Sequence, residues 1–562
     1  MNGVDFHDMK VRAPDLDRTR EEYAEIGAAI QGADDAAACI EAVRRWNECR
    51  NAVDTWGALV GLHFNQDTRN PDAKRALEER DEMSPKILEL DLELMRKLNA
   101  SPHRTAVESE IGKHAFDLWE ALITTYDPAI ESEKIQESRL ESEYTELIAS
   151  GRVDYNGETL TLVELGRYNE DPKRDVRHDV SLLRWGWFQD NAKALDRIFG
   201  ELVALRTSMA RKLGFDDFVE LAYRRLQRTD YDRTDVERFR AEVREQVVPL
   251  ATELRRRQAE RIGVDRLMSW DEALRDPQGN PKPQGDHDWM VERAREMFDQ
   301  MGGGLGEFFR LMVDRNLMDL KSRKNKGGGG FCTSFPDYGV PFIFANFNGT
   351  KGDVEVFTHE MGHAFQCYCS RDRFPIDYLW PTAEACEIHS MGLEFLTWPH
   401  MGKFFGEDDA DRFRGIHLEE SLLFLPYGVA IDHFQHLVYE NPDATPAERN
   451  AFWQEMERTY LPWRDYGDLE RPAAGGFWQC QLHVYRYPFY YIDYTLAQTC
   501  ALQFWKRSEA DFAEAMEAYV ALCRRGGEAP FQELVRGADL TSPFQSGCLA
   551  DVVDHARAIL GV

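Results

Sequence analysis

Apolar residues three and four positions apart recur along most of this chain and predict a mainly α-helical protein. KILELDLELMRKL and HAFDLWEALITTY show this pattern within 17–149, and it resumes over about 173–262. VDYNGETLTLVEL interrupts it, because Asn-Gly between short β-prone runs is typical of a hairpin, here near 153–162. GVPFIFANFNG predicts a strand that ends at another Asn-Gly turn.

The 562 residues are too many for one compact core, so we expect two lobes. The predicted division lies near residue 195. Residues 1–195 would form a helical lobe that includes the hairpin, and residues 196–562 would form a second domain.

Charge and cysteine content narrow the class of protein. The net charge is 68 − 99 = −31, which argues against nucleic acid or an anionic membrane as the main partner. No apolar run approaches the roughly 18 residues of a spanning helix, and the first residues lack the apolar core of a secretion signal. Ten cysteines without a CxxC motif read as reduced thiols. We therefore expect a cytoplasmic protein; the oligomeric state is not predicted.

FTHEMGHAFQCY (357–368) carries the most specific chemistry. In a helix, its apolar residues share one face, and His359 and His363 lie one turn apart on another, with about 6 Å between Cβ atoms. Two imidazoles at that spacing reach one zinc ion at about 2 Å. Glu360 would lie beside the ion, where a carboxylate can act as a base on a zinc-bound water. The alternative is a chance match between core histidines, which is uncommon but not negligible in a chain with 15 histidines.

A catalytic zinc ion needs a third protein ligand and an open position for water. PTAEACEIHSMGLEFLTW (381–398) has three glutamates near one helix face: Glu384, Glu387 and Glu394. A solvated acidic face is the alternative. The neighbouring residues are largely apolar, however, and buried carboxylates need a cation or hydrogen-bond donors. The residues alone leave the choice among these glutamates open.

WQCQLHVYRYPFYYIDYTLAQ (478–498) combines one histidine, His483, with five tyrosines. We assign Tyr485 and Phe489 to the core. A histidine with several phenol donors also suits the stabilisation of an oxyanion near zinc, and the two interpretations are compatible.

Three blocks resemble the thimet oligopeptidase and oligoendopeptidase F group of zinc metallopeptidases, most closely the Pz-peptidase-like bacterial oligoendopeptidases. They are FIFANFNGTKGDVEVFTHEMGHAFQ, EACEIHSMGLEFLTW and HVYRYPFYYIDYTLAQ, in that order. The resemblance is specific from about Phe331 onward and general over 1–195. It implies a mainly α, two-lobed fold with a deep central channel, the zinc helix on the channel wall and a small β-sheet beside that helix. Residues 196–562 would be the catalytic metallopeptidase domain.

For the metal site, the resemblance assigns His359 and His363 as ligands of one zinc ion per chain and Glu360 as the general base. The zinc-bound water would lose a proton to Glu360 and attack the carbonyl of a peptide bond. Glu360 would then pass that proton to the leaving amine.

The family pattern E-x-x-S-x-x-x-E falls on 387–394, which makes Glu387 the third ligand. Glu387 lies 387 − 363 = 24 residues after the second histidine. Glu394 would orient a ligand histidine. Glu384 is the runner-up as third ligand, since its separation is nearer that of thermolysin-like enzymes.

In the third block, the family's roles fall on one histidine and three tyrosines. His483 and Tyr491 would donate hydrogen bonds to the tetrahedral oxyanion. Tyr494 and Tyr487 would contact the substrate.

The expected function is hydrolysis of internal bonds in short, unstructured peptides, since a narrow channel would exclude folded proteins. FIFANF (342–347) would pair with the substrate backbone at Ala345 and Asn346. Glycines 327–330 predict either a loop that closes over bound peptide or a plain surface turn. Cys367 is interpreted as a core residue, and the alternative is that its oxidation affects the site. Two rival functions stay open: an exopeptidase with the same zinc chemistry, and a peptide-binding protein that has lost that chemistry.

Overall fold

The predicted helical character is confirmed by the computed structural model, which describes residues 3–562. The α-helices are α1 (Leu16–Gln31), α2 (Ala36–Gln66), α3 (Pro71–Asn99), α4 (Arg104–Ile111), α5 (Lys113–Thr124), α6 (Glu131–Ser150), α7 (Arg174–Asp190), α8 (Ala192–Lys212), α9 (Phe218–Arg225), α10 (Arg233–Glu242), α11 (Val248–Ile262), α12 (His287–Met301), α13 (Leu305–Asp314), α14 (Lys351–Ser370), α15 (Ala383–Leu396), α16 (Gly402–Phe405), α17 (Glu407–Glu440), α18 (Pro446–Tyr460), α19 (Leu482–Arg486), α20 (Tyr491–Ala510), α21 (Phe512–Arg525), α22 (Phe531–Gly537) and α23 (Cys548–Leu560). The strands are β1 (Arg152–Tyr155), β2 (Glu158–Thr161), β3 (Met318–Lys321), β4 (Phe331–Phe335) and β5 (Val340–Phe347).

None of the helices within residues 3–562 has both the length and the apolar character needed to cross a membrane. The cytoplasmic location stays a prediction.

Side-chain caps account for where many of these helices begin. Asp35 accepts a hydrogen bond from the Ala38 N–H (2.9 Å), and Asp217 accepts one from the Glu220 N–H (3.0 Å). Such caps satisfy N–H groups that the first helical turn leaves without a partner.

The chain packs into two compact units, each built from three separate stretches. The first unit comprises Met1–Ile123, Lys282–Ala410 and Cys500–Thr541. The second unit comprises Thr124–Pro281, Asp411–Thr499 and Ser542–Val562. These units do not follow the predicted division near residue 195, which falls within α8, because local periodicity says nothing about which distant stretches pack together.

The predicted hairpin is confirmed in the second unit, where β1 and β2 pair antiparallel. Its two central residues, Asn156 and Gly157, both have positive φ (52° and 81°). Positive φ at both positions is what a type I′ turn requires, and Asn-Gly is the pair that adopts it most readily. Leu160 packs with Leu165 and Val180 in a small buried cluster beneath the hairpin.

In the first unit, β5 is the central strand of a three-stranded sheet, parallel to β3 and antiparallel to β4. Residues 342–344 pair with β4, and residues 343 and 344 also pair with β3. The predicted pairing of this strand with a substrate backbone is therefore wrong for residues 343 and 344, because both hydrogen-bonding edges are occupied there. Six consecutive buried residues from Val340 are typical of such an enclosed strand.

Candidate metal and catalytic site

The turn after β5 sets the start of α14, the helix that contains the H-E-x-x-H segment. Gly349 has a positive φ of 82°, which glycine adopts without steric cost. The Asp353 carboxylate, in the first turn of α14, accepts hydrogen bonds from the N–H groups of Asn348 (2.9 Å) and Gly349 (2.6 Å). Helix α14 therefore begins directly after the turn that follows β5.

α14 and α15 cross so closely that only glycine fits at their contact. A Cβ atom added to Gly362 would lie 2.3 Å from His389 O and 2.7 Å from Ser390 Cα. The same His389 O accepts a hydrogen bond from Tyr519 Oη of α21 (2.8 Å). This crossing brings residues 359–363 against residues 387–394.

Gly362→Ala is expected to push the two helices apart, because the atoms that the new methyl group meets belong to the backbone. Overpacking of this kind costs about 1–3 kcal/mol of unfolding free energy, and we expect the zinc affinity to fall with it. Thermal unfolding and zinc titration measure the two effects. Gly186→Ala, in α7, is the matched control, since a Cβ there would meet no atom within 4 Å. An unchanged Tm and zinc affinity in Gly362→Ala would contradict this packing.

Three candidate metal ligands meet in the first unit. His359, His363 and Glu387 each offer one ligand atom, and these atoms lie within 4.8 Å of one another. Glu387 Oε2 is 3.3 Å from His359 Nε2 and 3.4 Å from His363 Nε2. Two atoms bound tetrahedrally to one zinc ion at about 2.0–2.1 Å are about 3.3–3.4 Å apart. Two imidazoles and a carboxylate in this arrangement fit a catalytic zinc ion that keeps its fourth position for water.

Neighbouring side chains orient these ligand atoms. Glu394 Oε1 is 2.7 Å from His359 Nδ1, and because an ionised carboxylate only accepts, Nδ1 donates; in the neutral imidazole the lone pair is then on Nε2. Ser390 Oγ donates to Glu387 Oε2 (2.9 Å). Glu384, the runner-up as third ligand, is also buried on α15 but lies outside the three-atom cluster.

The charges at this cluster favour a cation. Burial opposes protonation of His359, but hydrogen bonds and charges from Glu387 and Glu394 outweigh it and raise the His359 pKa well above its usual value. Burial likewise opposes ionisation of Glu387, yet the two histidines hold the pKa of that carboxyl well below its usual range. A metal ion bound here would replace the proton that His359 otherwise takes up.

Glu360 has one oxygen without a hydrogen-bond partner inside this site. Its side chain is 7% exposed, and Oε2 has no partner among the described residues. Burial raises the pKa of the Glu360 carboxyl, while His359 and His363 lower it. A Cβ atom added to Gly330 would lie 3.5 Å from Glu360 Oε1, so the glycine loop approaches this carboxylate. A buried carboxylate oxygen with no protein donor is suited to accept a proton.

Asn346 and Ala345 hold the glycine loop in this structure. Asn346 Nδ2 donates to Gly327 O and Gly329 O, both at 2.8 Å. Lys326 Nζ donates to Ala345 O (2.5 Å). The predicted contacts of these two residues with a substrate stay a prediction.

The second unit brings together the predicted histidine and tyrosines. The ring centroid of His483 lies 5.0 Å from that of Tyr491, 5.8 Å from Tyr494 and 5.9 Å from Tyr487. Tyr487 is 46% exposed. Burial raises the pKa of the Tyr491 phenol, so the phenol keeps its hydrogen and can donate it. This cluster and the three candidate metal ligands lie in different units.

Two buried arginines hold the segment from α19 to α20. Arg206 Nη2 donates to Tyr485 O and Arg228 Nη2 donates to Phe489 O, both at 2.6 Å. Arg228 also forms a fully buried ion pair with Asp493 (2.7 Å). Phe489 has a positive φ of 66°, which bulky residues rarely adopt, so these contacts stabilise a strained turn. Tyr485 and Phe489 are fully buried, which confirms their assignment to the core.

The thiols on the elements around the metal cluster are in an environment that suppresses their reactivity. Burial raises the pKa of Cys367 to about 12 and raises those of Cys332 and Cys386 well above the usual value. Because the thiolate is the reactive form, this environment supports the interpretation of Cys367 as a core residue. None of the ten cysteines, all of which lie within residues 3–562, forms a disulfide.

Three residues that shape the metal cluster have little or no signal in the sequence. Ser390 enters only through the family pattern. Gly362 is a glycine inside a helix, which is a recognised sign of close packing. Tyr519 lies 519 − 389 = 130 residues from the carbonyl it contacts, and no local pattern connects the two.

A mainly α-helical fold in which an H-E-x-x-H helix meets a glutamate of the next helix defines a metallopeptidase. Comparison with known protein families identifies the group. The Peptidase M3 N-terminal domain matches residues 6–126, and Peptidase family M3 matches residues 295–553. The chain belongs to peptidase family M3 and is a metalloendopeptidase.

Solved structures of similar proteins share the fold over the whole chain. Pz peptidase A, solved with an inhibitor, is 46% identical with a TM-score of 0.94 and 99% coverage of each chain. A protein described as an oligoendopeptidase F is 48% identical, also with a TM-score of 0.94 and 99% coverage of each chain. A Bacillus anthracis protein described in the same way is 42% identical with a TM-score of 0.90, covering 100% of this chain and 99% of that one. The comparison with curated proteins gives no match.

Proposed function

We propose that this protein is a zinc-dependent oligoendopeptidase that hydrolyses internal bonds of short, unstructured peptides. The proposal rests on two observations. His359 Nε2, His363 Nε2 and Glu387 Oε2 lie close together, and Glu360 Oε2 beside them has no hydrogen-bond partner among the described residues. Membership of peptidase family M3 and the identity to Pz peptidase A support the reaction class. The limit to short peptides rests on the family resemblance.

His359, His363 and Glu387 would hold the zinc ion, which when bound would act as a Lewis acid on a water molecule and on the scissile carbonyl. Glu360 accepts the proton of the attacking water at Oε2 and later delivers it to the leaving amine nitrogen. Glu394 keeps His359 in the tautomer whose Nε2 lone pair is available for the ion.

His483 and Tyr491 are proposed as hydrogen-bond donors to the tetrahedral oxyanion, with Tyr494 and Tyr487 as substrate contacts. This assignment rests on the resemblance of the third sequence block to the family. The donor chemistry of a neutral imidazole and a protonated phenol supports it.

Metal analysis combined with cleavage of a fluorogenic peptide blocked at both termini tests the proposal. We expect about one zinc ion per chain, internal cleavage, loss of cleavage after chelation and recovery when zinc is returned. Cleavage only of peptides with a free terminus would indicate an exopeptidase. Zinc binding without any cleavage would indicate a peptide-binding protein, and failure to bind supplied zinc would reject the metal site.

A further inference from the structure

Gln481 contacts two side chains of the second unit through one amide. Its Oε1 accepts a hydrogen bond from Tyr427 Oη (2.8 Å), and its Nε2 lies 3.1 Å from His483 Nδ1.

The amide determines which imidazole nitrogen of His483 carries the hydrogen. An amide nitrogen donates and does not accept, so Nδ1 must face it with a lone pair. In a neutral imidazole, the hydrogen then lies on Nε2. We propose that Gln481 is a positioning residue that holds His483 in the Nε2–H tautomer, in which the ring can donate a hydrogen bond to a substrate.

Tyr427 determines the orientation of this amide. The two ends of a glutamine amide have nearly the same shape, so hydrogen-bond partners decide which end faces which neighbour. Burial raises the pKa of Tyr427 well above its usual value, so the phenol keeps its hydrogen and needs an acceptor, which Gln481 Oε1 provides. The reverse orientation would turn Oε1 toward His483 and place the hydrogen on Nδ1.

The use of the His483 Nε2–H on an oxyanion rests on the proposed function, whereas the tautomer of His483 does not.

NMR of histidine ring nitrogens reads the tautomer directly. In protein labelled with ¹⁵N in its histidine rings, with His483→Asn to assign the signals, we expect a protonated Nε2 and an unprotonated Nδ1 for His483. Gln481→Glu replaces the donor with a carboxylate that only accepts, so Nδ1 is expected to gain a hydrogen. Wild-type His483 with its hydrogen on Nδ1, or an unchanged tautomer in Gln481→Glu, would overturn the inference.

Two further variants keep the test decisive if the introduced carboxylate prevents folding. Gln481→Met preserves the side-chain length without polar atoms and is expected to lose the strict preference for Nε2–H. Tyr427→Phe removes the donor that orients the amide and is expected to give a mixture of both tautomers. A wild-type tautomer in both variants would also overturn the inference.

Peptide cleavage then connects the tautomer to catalysis. Loss of one oxyanion donor costs about 10²–10³ in rate, so kcat/KM of Gln481→Glu is expected to fall by about 10²-fold with unchanged zinc content and Tm. Gln454→Glu is the matched control, since it makes the same change in the same unit, where Gln454 donates to Ala473 O. An altered tautomer with wild-type kcat/KM would overturn the catalytic role of Gln481. Wild-type protein inactive on every peptide would instead reject the proposed function, and the NMR result would still decide the tautomer.

Discussion

Glu360→Gln is expected to lower kcat/KM for a blocked peptide by about 10²–10⁴-fold and to leave the zinc content unchanged. Glutamine has the same shape but cannot accept the proton that the buried, unpartnered Oε2 is placed to receive. Neither imidazole loses a hydrogen-bond partner by this substitution, because Glu387 and Glu394 are the carboxylates that contact His359. Turnover of a doubly blocked fluorogenic peptide and metal analysis on the same sample measure both quantities.

Glu355→Gln is the matched control for this experiment. Glu355 lies on the same helix and forms an ion pair with Lys351 (2.8 Å), outside the cluster of the three candidate metal ligands. We expect wild-type turnover from this variant. A Glu360→Gln enzyme that keeps most of its activity would show that another group takes the proton.

Glu387→Gln is expected to weaken zinc binding by at least about 100-fold and to abolish cleavage at ordinary zinc concentrations. The reason is that Glu387 Oε2 lies against both histidine nitrogens, and a neutral amide oxygen is a poor replacement for that anionic ligand atom. Competition with a chromophoric chelator measures the affinity.

Glu384→Gln provides the comparison that separates the two candidate ligands. Both glutamates are buried on α15, but only Glu387 belongs to the cluster with His359 and His363. We expect Glu384→Gln to keep its zinc. Loss of zinc from Glu384→Gln with retention in Glu387→Gln would make Glu384 the third ligand.

Local pattern was enough to predict the parts of the site that depend on one helix. The spacing of His359 and His363 follows from the helical repeat, and the structure places them one turn apart with a ring-centroid distance of 5.0 Å. The choice of Glu387 over Glu384 needed the family pattern, because both lie on the same buried helix and spacing alone does not separate them.

Features that depend on distant parts of the chain were beyond the sequence. β5 was expected to offer its backbone to a substrate, but pairing with β3 and β4 is a property of the whole sheet. The role of Gln481 depends on Tyr427, which lies 481 − 427 = 54 residues earlier, on α17. Neither contact can be predicted from the periodicity of the residues around it.

Because the first unit consists of separate stretches of the chain, its parts are synthesised at different times. Its last stretch, Cys500–Thr541, contributes Tyr519, which bonds the carbonyl at the crossing of α14 and α15. A ribosome adds residues from the N-terminus at about 5–20 per second, so His359, His363 and Glu387 emerge well before the helix that secures their crossing. A nascent chain that has not yet reached α21, or one truncated before it, lacks this hydrogen bond at the crossing.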